Sequence, residues 1–290
     1  MNPLQRLARA FGKPSPAPAE QVYRCGNVEI VLPPGHKLPE YQRLYPHYDR
    51  FLPHLARLLP RGGTIVDVGA NVGDTLAAMA AAAPQASYLC VEPDPAFFAC
   101  LERNIERLRA ALPGLAVHAR QALVGQQVER ASLAGSGGTA HARPDAAGIA
   151  SVTLDALVAA AGLPPVALLK SDVDGFDFDV LASAERLLAA DRPLLFFEAQ
   201  PLDAAQLAGF ERLLGRLPAI GYTRYAVFDN FGQLLGRTGD ATLVAQLVRY
   251  AWRQGPGVGP RGATRTFYYV DVLAGGERDT ATLDAALADY

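Results

Sequence analysis

Three groups of residues in this chain have the types and spacing to do chemistry, and each stands where an apolar run ends. The first is Val66-Asp67-Val68-Gly69-Ala70-Asn71-Val72-Gly73-Asp74. Glycines at such a turn let the backbone approach a ligand closely and supply unusual dihedrals, and the helix that follows brings unpaired N–H groups. The spacing is G-x-x-x-G. A dinucleotide site wants G-x-G-x-x-G, and Asn71 stands at its middle glycine, which weakens a nicotinamide or flavin reading. The second group is Glu92-Pro93-Asp94. A carboxylate at the tip of the second strand, about 20 residues past the glycine turn, is positioned to accept hydrogen bonds from two ribose hydroxyls. Ribose without a phosphate-binding glycine pattern suggests a nucleoside that lacks pyrophosphate, of which S-adenosylmethionine is the common one. The blander alternative is that Glu92 merely caps the next helix. The third group is Lys170-Ser171-Asp172-Val173-Asp174, with Glu198 ending the following run.

From residue 63 onward, short apolar runs alternate with longer helical patterns, as in a parallel sheet covered by helices. The expected strands are Thr64–Val68, Ser87–Glu92, Leu115–Ala119, Val166–Asp172 and Pro193–Glu198. Leu76, Met79, Ala80 and Ala83 recur at helical spacing between the first two, and Phe97, Leu101, Ile105, Leu108 and Leu112 between the next two. Asp94-Pro95 reads as an N-cap followed by proline at the first helical position. Tyr222–Phe228 and Thr266–Leu273 read as further strands, which need no crossover helix if they run antiparallel. In an open sheet of this kind the ligand lies beyond the carboxyl ends of the strands, where all three groups fall.

These residues resemble the FkbM-type class I S-adenosylmethionine-dependent methyltransferases. The matching segments are VDVGANVGDT, CVEPD, Ser151-Val152-Thr153-Leu154-Asp155, Leu168 to Asp177 (LLKSDVDGFD) and Phe196-Phe197-Glu198. The family's usual block at the fourth strand is Lys-Ile-Asp-Val-Glu-Gly followed by an acidic residue; Asp174 and Asp177 stand here for its glutamates. The resemblance covers roughly residues 60–275. It implies an α/β, Rossmann-like fold with a mostly parallel seven-stranded sheet, helices on both faces and an antiparallel last strand. It implies O-methylation of a hydroxyl on a sugar, glycan or secondary metabolite. The cofactor-binding set is then Asp67, Gly69, Ala70, Asn71, Gly73, Glu92, Pro93, Ala122, Leu123 and Asp172, and the catalytic set is Asp172, Lys170 and Glu198. Asp172 is expected to act as base or to hold the methionine ammonium. Alternatively Asp172, Asp174 and Glu198 bind one Mg²⁺, or Asp174 and Asp177 form a box-like helix cap. His47, Tyr48, Asp174 and Asn230 are candidate substrate contacts.

The rest of the chain frames these expectations. Half of it is hydrophobic and 19% charged, enough for a sizeable core. With 27 basic and 29 acidic residues it lacks the basic excess of a phosphate-backbone binder, so the expected partner is a small molecule or glycan and not nucleic acid. Cys25, Cys90 and Cys100 form no C-x-x-C pair, which excludes a disulfide scaffold and a cysteine-rich zinc site. No apolar run approaches the ~20 residues of a membrane span, and a cytoplasmic location is expected. Residues 1–20 read as a flexible segment with a Pro/Ala linker, 21–60 as a hairpin and helical cap broken at Pro46 and Pro53, 61–275 as the methyltransferase domain with a Gly/Ser-rich insertion at 125–152, 255–262 as a loop, and 276–290 as a tail. The alternatives on the same fold are action on a protein or a nucleobase, or a cofactor-binding scaffold without turnover. An amino-methylating DNA enzyme would carry Asn/Asp-Pro-Pro-aromatic where this chain has Ser171-Asp172-Val173-Asp174.

Overall fold

A computed structural model of the chain describes residues 20–136, 139–254, 267–288 and 290. The Pro/Ala linker within 1–19 and the Gly/Pro-rich stretch 255–262 lie outside them. In chain order the elements are β1 (Gln21–Cys25), β2 (Val28–Leu32), α1 (Leu38–Leu44), α2 (Phe51–Ala56), β3 (Thr64–Val68), α3 (Asp74–Ala82), β4 (Ser87–Val91), α4 (Pro95–Ala111) and β5 (Ala116–Arg120). There follow β6 (Leu123–Val124), β7 (Arg130–Ser136), β8 (Thr139–Pro144), β9 (Ile149–Val152), α5 (Leu154–Ala161), β10 (Val166–Ser171), α6 (Asp177–Ala182) and α7 (Glu185–Ala190). The chain ends with β11 (Leu194–Ala199), α8 (Ala204–Arg216), β12 (Arg224–Asp229), β13 (Leu234–Thr238), α9 (Ala241–Gln254), β14 (Val270–Gly275) and α10 (Thr280–Leu287).

The main sheet has the order β13-β12-β14-β11-β10-β3-β4-β5. Every residue of β3 is buried, as a central strand covered on both faces requires. Alternation sorts its side chains: Ile65 and Leu168 join the core on one face, and Val66 and Leu169 the core on the other. The chain winds from β3 out to β5, then returns to β10 on the opposite flank of β3. The reversal opens a crevice at the carboxyl ends of β3 and β10. β14 is antiparallel and lies between β11 and β12.

Two expectations need correction. The sheet has eight strands, not seven, because the turn after β12 folds β13 back as an antiparallel edge strand. Pro46 does separate α1 from α2, but Pro53 sits inside the first turn of α2, where its missing N–H would have had no intrahelical partner. Within the tail from 276, Thr280–Leu287 forms α10 and buries Leu283, Ala286 and Leu287.

The N-terminal hairpin is part of the core. Val28, Ile30 and Leu32 pack with α2, α3 and α4 on one face of the sheet. Asn104 of α4 pins β2: its Oδ1 accepts from Val31 N at 2.8 Å, and its Nδ2 donates to Val31 O at 2.9 Å and to Val72 O at 2.8 Å. The segment from β6 to β9 forms a separate four-stranded sheet in the order β6-β9-β7-β8. Asp179 of α6 anchors its base, accepting from the backbone N–H groups of Gln126, Gln127 and Val128.

Candidate active site

The glycine turn is shaped first by the protein around it. Gly69 has φ +78°, and a Cβ there would lie 1.9 Å from Asp172 O, so the end of β3 meets the end of β10 at backbone contact. The N–H groups of Gly69 and Ala70 both donate to Val91 O, at 2.9 and 3.0 Å. Asn71, at φ 49°, presents its N–H to Glu92 Oε2 at 2.8 Å, and Asp94 N donates to Glu92 Oε1 at 2.8 Å. Glu92 thus ties the turns after β3 and β4 together. Burial pushes its carboxyl up to about 7, against the two N–H groups that favour the charged form. Capping of α4 falls instead to Asp94, whose Oδ1 accepts from Ala96 N and Phe97 N.

Lys170 forms the floor. It is 4% exposed; its Nζ lies 2.9 Å from Asp67 Oδ1, donates to Gly69 O at 3.0 Å, and stands 3.7 Å from Asp172 Oδ2. Burial pulls its pKa down, but the carboxylates of Asp67 and Asp172 outweigh that and leave it well above the ordinary lysine range. A lysine held charged this firmly orients its neighbours and does not accept a proton. Asp172, by contrast, is half-exposed and faces the crevice.

The next turn departs from a helix cap. Asp174 takes φ 52° and Gly175 φ 95°, so the chain bends before α6 begins at Asp177, and the N-cap residue is Phe176. Asp177 turns inward: its Oδ1 accepts from Ser171 Oγ at 2.6 Å and Val173 N at 3.3 Å, and burial raises its carboxyl to about 8. The box-like cap is replaced by a brace across the bend.

These elements surround a cavity of about 520 Å³. Glu92, Pro93, Phe97, Ala122, Leu123 and Val124 line one end; Asp172, Asp174, Glu198, Tyr268 and Tyr269 line the other; Gly69, Asn71 and Lys170 lie between. Tyr41, Tyr48 and Asp49 from the N-terminal segment, Val128 from the β6–β7 connection, and Ala131 and Leu133 from β7 close over it. Asp67, Ala70 and Gly73 do not reach it. Asp67 is wholly buried under Lys170, and Gly73 supplies φ +84° where a Cβ would strike Leu101. His47 and Asn230 line a recess of about 50 Å³ that shares Tyr48, Lys170, Asp172 and Glu198 with the main cavity.

The reacting end is crowded with acids. Glu198 is buried with its Oε2 lacking a hydrogen-bond partner, and it stands directly across the β11–β14 pair from Asp271. Like charges opposite each other in an antiparallel pair are destabilising. Burial, then the neighbouring carboxylates of Asp172 and Asp174, raise Glu198 well above the ordinary glutamate range. Asp49 holds a left-handed φ of 55° on the cavity wall, where the charges of Asp74 and Asp172 raise its carboxyl above the usual aspartate range. Asp271, Tyr268 and Tyr269 were missed in the sequence. An aspartate inside an apolar strand was the available signal, but its partner across the sheet is set by pairing between segments far apart in the chain.

Seven carboxylates line the main cavity against two lysines. That excess suits a cationic ligand. S-adenosylmethionine carries a sulfonium and an ammonium against one carboxylate, so the donor set and the apolar end beside Glu92 fit it. The suggested Mg²⁺ trio does not converge: no group of three His, Cys, Asp or Glu among the described residues is arranged to hold a metal ion. No helix among them is long and apolar enough to cross a membrane.

Comparison with solved structures finds the O-methyltransferase from Bacillus cereus in complex with SAH (13% identity, 83% of this chain and 88% of that one covered, TM-score 0.44). It also finds the methyltransferase FkbM from Methylobacillus flagellatus KT (13% identity, 82% of this chain but 58% of that one, TM-score 0.40) and the precorrin-6y C5,15-methyltransferase from Geobacter metallireducens GS-15 (11% identity, 77% and 84%, TM-score 0.39). No curated protein matches the chain in sequence. The family model of the methyltransferase FkbM domain matches residues 67–224, which run from Asp67 through Glu92, Asp172 and Glu198; more than half of the chain lies within that match, and the chain belongs to the FkbM methyltransferase family.

Proposed function

We propose that the protein is an S-adenosylmethionine-dependent O-methyltransferase whose acceptor is a hydroxyl of a sugar, glycan or secondary metabolite. The observation that carries this reading is Glu198: a buried carboxyl with an unpartnered oxygen and a raised pKa, at the reacting end of a cavity whose other end has the carboxylate and apolar wall a nucleoside needs. Glu92 would hold the ribose hydroxyls, Phe97, Ala122 and Leu123 the adenine, and Asn71 with Asp172 the amino-acid end. When bound, the cofactor supplies an electrophilic methyl group on sulfur.

The residues of this chain then have separate tasks. Methyl transfer from a sulfonium is an in-line displacement, so most of the gain comes from positioning. Lys170 fixes Gly69 and Asp172, and through them the turn beside the cofactor. As the acceptor oxygen bonds to carbon its proton must leave; Glu198, whose Oε2 has no hydrogen-bond partner at the reacting end of the cavity, is the carboxyl placed to take it. Tyr41, Tyr48, Tyr268 and Tyr269 offer flat apolar faces with hydroxyl edges, which suits a sugar ring.

The test incubates the full chain with methyl-labelled cofactor and separate glycan, small-molecule, protein and nucleic-acid fractions. Label is expected in glycan or small molecules as an ether stable to mild base; label confined to protein would overturn the reading. Glu198→Gln should lower kcat by roughly 10²–10⁴-fold, with the affinity for the cofactor unchanged.

A further inference from the structure

A second cavity, of about 490 Å³, adjoins the first between the β1–β2 hairpin, α2 and α3. The two share Leu38, Asp49, Asp74 and Thr75 as a common wall. Their charge is opposite. Where the main cavity is ringed by carboxylates, the second is lined by Arg24, Arg50, Arg57 and His54, and among the described residues its acids are the two on the shared wall. This is a local segregation, because the chain as a whole carries a formal charge of −2.

The arginines are not consumed by strong ion pairs. Arg24 meets Glu29 only at 3.9 Å. Arg57 Nη2 lies 2.9 Å from His54 Nδ1. Arginine can only donate, so Nδ1 accepts and the neutral ring carries its proton on Nε2. That nitrogen is buried with no hydrogen-bond partner. The chamber therefore presents guanidinium forks, whose planar geometry matches carboxylate and phosphate oxygens.

On the reading given above, we infer that the acceptor carries an anionic group, a phosphate or a carboxylate, and that this chamber holds it. The shared wall places an anion among the arginines on one side and the methyl donor among the acids on the other, with the acceptor hydroxyl reaching past Asp49 and Thr75. The charge pattern assigns the two ligands to different chambers, since a cationic cofactor is repelled by the arginines and an anionic acceptor by the carboxylates.

The test uses the full chain and the double variant Arg50→Gln/Arg57→Gln. Both side chains are exposed, and circular dichroism checks the fold. Calorimetry with inorganic pyrophosphate should show binding to the parent that weakens about tenfold or more in the variant, while S-adenosylmethionine binds both alike. In transfer assays, glycosyl phosphates and uronic acids are tried against neutral glycosides. Label is expected in one of the anionic classes, which identifies the group, and the variant should raise KM for it with kcat held. Pyrophosphate that fails to bind, a variant that loses cofactor affinity instead, or neutral glycosides that serve equally well would each overturn the inference. Should no acceptor be labelled at all, the methyl-transfer reading fails, and the pyrophosphate titration still decides the chamber.

Discussion

Removing Lys170 tests whether it positions or reacts. Its side chain is 5% exposed, and its Nζ lies 2.9 Å from the carboxylate of Asp67, whose side chain is 0% exposed. Lys170→Met leaves Asp67 buried with no counter-ion among the described residues. Breaking a buried pair by deleting one partner costs about 3–5 kcal/mol, because the remaining charge is uncompensated. For a chain of this size that lowers the melting temperature by about 10 °C. Adding Asp67→Asn removes the stranded charge, and the double variant should recover most of the loss. Thermal denaturation of the four proteins of the cycle measures the coupling, and calorimetry with S-adenosylmethionine follows the turn that Lys170 holds through Gly69 O. A Lys170→Met protein with unchanged melting temperature and cofactor affinity but no methyl transfer would refute the positioning role. It would place Lys170 at the reacting centre, as the sequence pattern suggests.

Two further outcomes follow from the same geometry. Glu92 and Asp177 have folded pKa values raised from 4.5 to about 7 and from 3.8 to about 8, both chiefly by burial. An acid that holds its proton more tightly when folded adds stability below its unfolded pKa and loses it as pH rises through the folded one. The urea midpoint of the cofactor-free protein should therefore fall between about pH 4 and pH 8, while cofactor affinity should rise through about pH 7 as Glu92 ionises. A midpoint that climbs over this interval would contradict the burial argument. Asn104→Ala strands the backbone groups of Val31 and the Val72 carbonyl, at about 1–3 kcal/mol. Hydrogen exchange should speed up in β2 before it does in β3, and uniform exchange would show that the hairpin is held by packing alone.

Much of this protein was legible along the chain because local patterns carry it. The β3 boundaries, the alternation of strands and helices and the Asp94-Pro95 helix start all rest on periodicity and capping within a few residues, whereas the antiparallel direction of the last strand came from the family resemblance. The position of Glu92 and Asp172 at strand tips also rests on the local pattern. The edge strand β13 was not legible, because a hairpin partner with an exposed face has a weak apolar pattern.

The sequence by itself determined which residues end the strands, and a strand end in an open sheet is where a ligand binds. Only the tertiary structure decided what each of them does there. Asp67 and Asp172 are both acidic tips of neighbouring strands, yet one is buried beneath Lys170 and the other faces the cavity. Asp177 reads as a cap and serves as a brace. Glu198 acquires its raised pKa from burial and then from the carboxylates of Asp172 and Asp174, and the arginines of the second chamber come from segments that the hairpin and α2 bring together. Burial and the charges of residues distant in sequence set these properties, and neither exists until the sheet has assembled.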